Sequence, residues 1–296
     1  MKVFKKGMLL SALGLSALVL GACEPLLVLD PKGPMAERQA SDTMLLIYIM
    51  SGIVLTVFVL LAVMLFKYRA SNTPADYVPP RIHGHWAVEA VMIGVPVIIV
   101  IILSVVSVRS NYIVENTPEK YEDTEPLVIY AASSDWKWHF SYPEEGIETV
   151  NYVNIPTNRS IEFKLYSYGP IASFWIPQLG GQKYAMGDMV TTLHLAADVE
   201  GDFQGRNANF NGQGFAKQTF DVEAMSQEDF AEWVAEVQEK EQPITEEKFN
   251  ELLEPGHLGR STYTGTHLEF SPAPEHSHGL EGDILPEEVI KEAHNH

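Results

Sequence analysis

The chain has 296 residues and only one cysteine, Cys23. A single thiol excludes an intrachain disulfide, and it equally excludes a zinc or copper centre that needs several thiolates. Basic residues are also scarce, since 20 Lys and Arg stand against 39 Asp and Glu and give a formal net charge of −19. Contacts with nucleic acid phosphates depend on Lys and Arg, so we expect no nucleic acid partner.

Cys23 lies at the end of a predicted export signal. A lysine-rich start precedes an apolar run from Met8 to Gly21, and the small residue Ala22 stands directly before the cysteine. This order is typical of a bacterial lipoprotein that is cut before the cysteine. We therefore predict that residues 1–22 are removed and that Cys23 carries N-acyl and S-diacylglycerol groups, palmitate among them. An uncleaved anchor helix is the alternative, and the shortness of the run disfavours it.

Two longer apolar runs predict transmembrane helices. Met44–Phe66 carries no charge, and Ala87–Val108 carries only Glu89. Each exceeds the roughly 20 apolar residues that span a bilayer. Positive charge marks the cytoplasmic side of a membrane, and the loop between the runs contains Lys67, Arg69 and Arg81 against Asp76. This topology predicts a two-pass protein of the bacterial cell membrane, with the N-terminus and the C-terminal domain on the extracellular or periplasmic side.

The exported region begins with short strand-like runs. They are rich in β-branched and aromatic residues, are bounded by Gly, Pro and Asn, and cover residues 127–130, 149–153, 160–165 and 191–195. Such spacing predicts a β-sandwich or barrel. After Glu223, apolar residues fall at helical spacing behind the capping pattern Ser226-x-x-Asp229, and a second short helix is predicted around Phe249. The end of the chain is rich in Pro, Glu and His, which predicts disorder.

The predicted division of the chain follows these changes in pattern. It comprises a signal peptide (1–22), a lipidated extracellular segment (23–43), transmembrane helix 1 (44–66), a cytoplasmic loop (67–86), transmembrane helix 2 (87–108), a linker (109–125), a β domain (126–222), a helical C-terminal extension (223–270) and a disordered tail (271–296).

Two aromatic motifs follow the hairpin, Trp136-Lys137-Trp138-His139-Phe140 and Ser173-Phe174-Trp175-Ile176-Pro177. Together with Glu89 and Pro96 in the second span, they resemble subunit II of the haem–copper terminal oxidases. The resemblance implies an α+β membrane protein, with a cupredoxin-like Greek-key β-barrel on a two-helix hairpin. It implies docking on subunit I, which would hold haems and copper, in a complex with subunits III and IV. Aromatic packing against subunit I is then expected at Trp136, Trp138 and Trp175.

The family has two branches that differ in this domain. Copper-bearing members hold a dinuclear centre with a His before the Ser-Phe-Trp-Ile-Pro run and a later Cys-x3-Cys-x3-His-x2-Met block. The corresponding ligand positions here are occupied by Ala172, Asn207, Asn209, Asn211, Phe215 and Gln218. Neutral amides, alanine and phenylalanine do not replace the soft thiolates that select copper. We therefore expect no metal or other cofactor in this chain, and we interpret these residues as packing at the barrel end.

The resemblance then implies subunit II of a proton-translocating quinol oxidase, with quinol and membrane lipid as partners. The resemblance also implies that Glu89 lies at the start of a proton-uptake path, and ionisable groups inside membranes are costly and commonly functional. An interfacial Glu89 paired with Lys67 or Arg81 is the alternative. A different class of function also stays open: a membrane-anchored cupredoxin-like lipoprotein acting as a non-enzymatic binding or assembly module.

Overall fold

The computed structural model describes residues 26–69, 77–78, 84–275 and 277–278. Its N-terminal part is a hairpin of two long helices, α1 (Pro34–Lys67) and α2 (Trp86–Glu115). Both are long and apolar enough to cross a membrane, and the side chains of their apolar stretches are exposed. Surfaces of this kind require lipid around them, so the hairpin anchors the chain in a membrane.

Both helices extend beyond the predicted spans. Helix α1 begins at Pro34, which is favoured at the first helical position, and its first turn is buried at Met35 and Ala36. Helix α2 continues to Glu115, and Val114 packs against the barrel core. Hydropathy finds the lipid-exposed part of a helix, but it misses the ends that pack on protein. The predicted segment 23–43 and the linker 109–125 are therefore partly helical.

The exported domain contains twelve strands among the described residues. They are β1 (Leu127–Ser134), β2 (Lys137–Tyr142), β3 (Ile147–Val150), β4 (Tyr152–Pro156), β5 (Ile161–Ser167), β6 (Ala172–Trp175), β7 (Lys183–Ala185), β8 (Val190–Leu195), β9 (Gly201–Asn207), β10 (Thr219–Met225), β11 (Ser261–Thr264) and β12 (Ser277–His278). One sheet has the order β11-β3-β2-β1-β5-β8-β12, and the other has the order β4-β10-β9-β6-β7. Strand β1 pairs in parallel with β5, and β4 with β10, within otherwise mainly antiparallel sheets.

The two sheets enclose a core dominated by aromatic rings. Phe174 stacks on Phe220 with ring centroids 4.9 Å apart, and Trp138 meets Phe174 edge-on at 5.2 Å. Gly205 lies directly over Phe220, where a Cβ atom would approach the ring to 2.0 Å. Such pairs add about 0.5–1.5 kcal/mol each beyond the burial of their area. The aromatic motifs of the sequence therefore contribute to the barrel interior.

One predicted strand is broken into two. Residues 149–153 end β3 and begin β4, because Asn151 has a left-handed backbone with φ of 59°. Its side chain holds the turn: Oδ1 accepts from the Trp138 amide at 2.9 Å, and Nδ2 donates to the Leu258 carbonyl at 2.7 Å. Asn tolerates this conformation better than β-branched residues do.

The C-terminal extension combines helices with a strand. Helices α3 (Gln227–Lys240) and α4 (Glu246–Leu253) carry side-chain caps, and the predicted cap at Ser226 is confirmed by its bond from the Asp229 amide. The extension then adds β11 to the edge of the larger sheet, beside β3. A strand there was not predicted. Within the predicted disordered tail, β12 pairs with the start of β8.

The barrel is seated on the hairpin through backbone contacts. The Lys32 amide donates to the Gln178 carbonyl at 2.7 Å, and the Ala36 amide donates to the Leu179 carbonyl at 3.1 Å. On the second helix, Glu115 forms an ion pair with Lys183 of β7. The segment at the start of α1 and the end of α2 thus both contact the barrel domain.

Candidate functional site

The residues at the positions of the metal ligands of the copper-bearing branch meet at one end of the barrel. Asn207 ends β9 and is 3% exposed. Its Oδ1 accepts from the Ser173 amide at 2.8 Å and from the Asn209 amide at 2.9 Å. Asn209 in turn donates from Nδ2 to the Ile171 carbonyl at 3.0 Å. The two residues that flank Ala172, Ile171 and Ser173, are therefore both hydrogen-bonded to the segment 207–209.

Gln218 is the centre of this network and is almost fully buried. Its Oε1 accepts from Asn207 Nδ2 and from Asn211 Nδ2, both at 2.8 Å. Its Nε2 donates to Ser133 Oγ at 3.0 Å. Three amide side chains thus link β9, the following loop and β1. We call Asn207, Asn211 and Gln218 the amide network.

The amide network does not fit the dinuclear copper centre of the family's other branch. Its oxygen and nitrogen atoms are hard, neutral and engaged with one another, whereas that centre requires soft anionic sulfur. Phe215 is half-buried and contacts the exposed ring of Phe210 at 5.6 Å, so it supplies packing only. Over the described ranges, no group of three or more His, Cys, Asp or Glu side chains could hold a metal ion.

Trp136 lies beside the amide network in a strained turn. Its backbone is left-handed, with φ of 68°, and Gly214 lies over its ring. A Cβ atom on Gly214 would be only 2.1 Å from the indole, so this close packing requires glycine. The ring centroid is 6.1 Å from that of His257 in the C-terminal extension. Trp136 is half-buried, and its expected contact with subunit I stays a prediction.

The other two aromatic residues expected at the interface differ in exposure. Trp138 has no exposed surface and packs between Phe174 and Phe220, so its predicted interface role is wrong. Successive side chains of a β-strand point to opposite faces of the sheet. In β2 the odd-numbered residues face outward, and Trp138 faces the core. Trp175 is half-buried at the end of β6, and its expected interface contact remains a prediction.

The outward side chains of β2 are polar yet buried beneath the C-terminal extension. Lys137, only 3% exposed, donates from Nζ to the carbonyls of Glu254 at 2.5 Å and Gly256 at 3.1 Å. Burial lowers the pKa of Lys137. Full burial likewise lowers the pKa of His139 to about 3, with nearby His267 and Lys137 acting in the same direction. Carbonyl oxygens that face the ammonium group compensate its lost hydration.

A second polar cluster lies further along this face and was missed by the sequence reasoning. His267 reaches Glu148 Oε1 through Nδ1 at 2.7 Å and the Tyr166 hydroxyl through Nε2 at 2.6 Å. Ser141 Oγ donates to the other Glu148 oxygen at 2.5 Å. The polar residues at alternate positions of β2 were the available signal. Their partners could not be identified, because His267 lies 119 residues from Glu148.

Glu89 lies in the first turn of α2, at the end of the hairpin that connects to the intervening loop. Its side chain is exposed on the isolated chain, and its amide donates to the His85 carbonyl at 3.0 Å. No ion pair joins it to Lys67 in the described part of the chain, and Arg81 lies outside that part. An exposed acid on an apolar helix needs a polar partner from elsewhere in the membrane.

Comparisons with known proteins identify the family, although no family model matches the chain. It is 48% identical over 267 residues to quinol oxidase subunit 2 of Bacillus subtilis (strain 168), covering 90% of the chain and 83% of that relative. It is 46% identical over 264 residues to quinol oxidase subunit 2 of Bacillus cereus (strain ATCC 14579), covering 88% and 91%. The chain belongs to the quinol oxidase subunit 2 family.

A solved structure is also similar to the exported domain. The periplasmic domain of subunit II of cytochrome oxidase (CoxB) of Bradyrhizobium japonicum matches with a TM-score of 0.37 and 22% identity, covering 38% of this chain and 94% of that one.

Membership in the quinol oxidase subunit 2 family confirms the predicted family, fold class and assignment as an oxidase subunit. The hairpin and barrel agree with a membrane protein that carries an exported domain. Cys23, the predicted signal peptide, most of the predicted cytoplasmic loop and most of the predicted tail lie outside the described residues. The lipid anchor and the site assignments stay predictions.

Proposed function

We propose that this chain is the membrane-anchored support subunit of an oxidase that converts two quinols and O₂ into two quinones and two waters. The amide network is the observation that carries this proposal. It occupies the positions where the copper-bearing branch receives electrons, yet its side chains are neutral and bonded to each other. Electrons therefore pass from quinol to haems and copper in subunit I without a redox centre in this domain.

The attachment of the barrel to the hairpin determines which residues can contact partner subunits. The barrel is fixed on one end of the hairpin by the Lys32 and Ala36 amides and by the Glu115–Lys183 ion pair. These contacts hold the domain that carries the half-buried Trp136 and Trp175 at the exported end of the hairpin. Subunit I is the direct partner, and subunits III and IV complete the complex.

Purification of the complex tests this function. Affinity isolation of the tagged chain in mild detergent should recover a haem-bearing subunit with quinol oxidase activity. Recovery of a haem-free chain alone would favour the alternative, a non-enzymatic binding or assembly module. A dinuclear copper spectrum in the isolated chain would contradict the proposal.

Glu89 supplies the first acid of the proton-uptake path in this proposal. Protons for oxygen reduction come from the cytoplasmic side, where α2 begins. An acid exposed on this apolar helix is costly in lipid, which favours contact with subunit I or with water inside the complex. The missing ion pair with Lys67 in the described residues leaves the carboxyl available for such a contact.

Substitution of Glu89 tests its role in the assembled oxidase. Glu89→Ala should lower turnover and proton uptake together while haem content stays unchanged, and Glu89→Asp should retain most of both. Glu37→Ala is the matched control, because Glu37 is an exposed acid in the first turn of α1 at the opposite side of the membrane. Normal turnover and uptake in Glu89→Ala would eliminate the role.

Cys23 anchors the mature N-terminus through N-acyl and S-diacylglycerol groups in this proposal. Leu26 is three residues away, and an extended chain of that length reaches about 10 Å. The segment around Lys32, just before α1, is hydrogen-bonded to the barrel. The lipid therefore lies near the exported surface of the cell membrane. Mass spectrometry of the mature N-terminus should find both groups; an unmodified thiol would refute the anchor.

A further inference from the structure

Tyr166 on β5 is paired with a histidine base in the interior of the exported domain. The side chain is 1% exposed, and its hydroxyl lies 2.6 Å from His267 Nε2. His267 is fully buried, and its Nδ1 lies 2.7 Å from Glu148 Oε1. Phe249 of α4 stacks on the imidazole at 4.3 Å with the planes 4° apart, which holds the ring in place. A buried hydrogen-bonded chain therefore runs from a phenol through an imidazole to a carboxylate.

The hydrogen bonds around His267 assign the protons of this chain. Both Glu148 oxygens act as acceptors, because Ser141 Oγ donates to one at 2.5 Å and the imidazole Nδ1 faces the other. Nδ1 therefore carries the ring proton. The buried Tyr166 hydroxyl also needs an acceptor, and Nε2 supplies one when it is unprotonated. Tyr166 thus donates its proton towards a free basic nitrogen.

This arrangement suits the one-electron oxidation of Tyr166. Burial raises the pKa of Tyr166 well above its ordinary value of 10.0, so the phenol does not ionise before it loses an electron. A phenol that has lost an electron is a strong acid, and oxidation is easiest where a hydrogen-bonded base accepts the proton in the same step. His267 Nε2 is such a base. The Glu148 carboxylate on the other side of the ring stabilises the imidazolium that forms.

A second tyrosine connects Tyr166 with the protein surface. The ring centroid of Tyr168 is 5.5 Å from that of Tyr166, and Tyr168 is 36% exposed. The Tyr168 hydroxyl bonds to Ser271 Oγ at 2.9 Å, so it has no basic partner of its own. An electron can therefore leave through Tyr168, while the radical is stabilised on Tyr166 beside its base.

We propose that Tyr166 is a redox-active tyrosine that quenches strong one-electron oxidants, such as the hydroxyl radical, through Tyr168. The oxidant accepts one electron and becomes hydroxide. Tyr166 loses that electron and its O–H bond breaks, while the proton forms an N–H bond at His267 Nε2. A soluble one-electron donor such as ascorbate returns the electron, and the proton returns to the phenolic oxygen. This activity does not depend on the proposed oxidase function, because it requires only residues of this chain and soluble reactants.

Flash photolysis of the full chain in detergent tests this proposal. Ruthenium tris(bipyridine) with persulfate generates the oxidant, and rapid freezing traps the radical for electron paramagnetic resonance. In protein labelled with ¹⁵N-histidine, we expect a neutral tyrosyl radical that is magnetically coupled to a histidine nitrogen. Within the described part of the chain, Tyr166 alone bonds a histidine through a tyrosine hydroxyl. The absence of a tyrosyl radical, or a radical without histidine coupling, would overturn the proposal.

Three variants locate the radical and test its surroundings. Tyr166→Phe removes only the hydroxyl and should abolish the histidine-coupled signal. Tyr142→Phe is the matched control and should keep the signal, since Tyr142 is equally buried but donates to the Asn154 carbonyl at 3.0 Å instead of to a base. Glu148→Gln should shorten the lifetime of the radical, because a neutral amide stabilises the imidazolium less than a carboxylate does.

Two results with these variants would contradict the proposal. One is a histidine-coupled signal that survives in Tyr166→Phe, and the other is an unchanged radical lifetime in Glu148→Gln. Where a variant does not fold, the coupling measured in the wild-type chain still decides, because it requires no substitution.

Discussion

Replacing Gln218 by methionine should destabilise the exported domain. The two side chains have similar volumes, so no large cavity is created. Methionine cannot accept the bonds from Asn207 Nδ2 and Asn211 Nδ2, and it cannot donate to Ser133 Oγ. Each buried polar group left without a partner costs about 1–3 kcal/mol. Because Asn207 and Ser133 are buried and Asn211 is only half-buried, we expect a total loss of about 2–4 kcal/mol.

Urea unfolding of the full chain in detergent measures this loss, with tryptophan fluorescence as the signal. Trp138 and Trp136 lie close to the site and report directly on it. Gln213→Met is the matched control, since it makes the same change at an exposed position of the same loop. A loss below about 0.5 kcal/mol, which is typical of surface substitutions, would refute the structural role of the amide network.

Two further predictions concern other contacts of the barrel. The pKa of His139 is lowered to about 3 from 6.5 by burial, so between these values the unfolded chain binds a proton that the folded chain does not. Stability should therefore fall by about 2 kcal/mol from pH 8 to pH 5 through this residue alone, and His139→Gln should remove that part of the pH dependence while exposed His257→Gln retains it. Gly214→Ala should cost roughly 1–3 kcal/mol through overlap with the Trp136 indole, whereas Gly259→Ala, with open space around it, should be neutral in the same urea titration.

The elements that the sequence predicted well are those with a strong local pattern. Long apolar runs identified the hairpin, and runs rich in β-branched and aromatic residues identified half of β1 and most of β5 and β8. The ends of α1 were less predictable, because its first turn packs on the barrel instead of facing lipid. Asn151 breaks a run with good strand propensity through a turn that depends on Trp138 and Leu258, which are distant partners.

In the candidate site, too, the sequence predicted features with a local pattern and missed contacts between residues that are far apart in the chain. Family spacing brought Asn207, Asn211 and Gln218 to one place, and the structure adds that they bond to each other. Trp138 was assigned to an interface because tryptophan is common there, but strand alternation directs it into the core. The Glu148–His267 pair joins residues whose neighbours in sequence carry no sign of the pairing.

The amide network crosslinks the end of the barrel where the resemblance places the metal ligands of the copper-bearing branch. Asn207 binds the backbone of β6, and Gln218 binds Ser133 on β1, so the network crosslinks strands from both sheets. A metal centre can provide such links, but its charge changes with each electron that it carries. Neutral amides hold one charge state and one geometry. An oxidase subunit linked in this way keeps a constant surface for its partners throughout turnover, which suits support better than electron transfer.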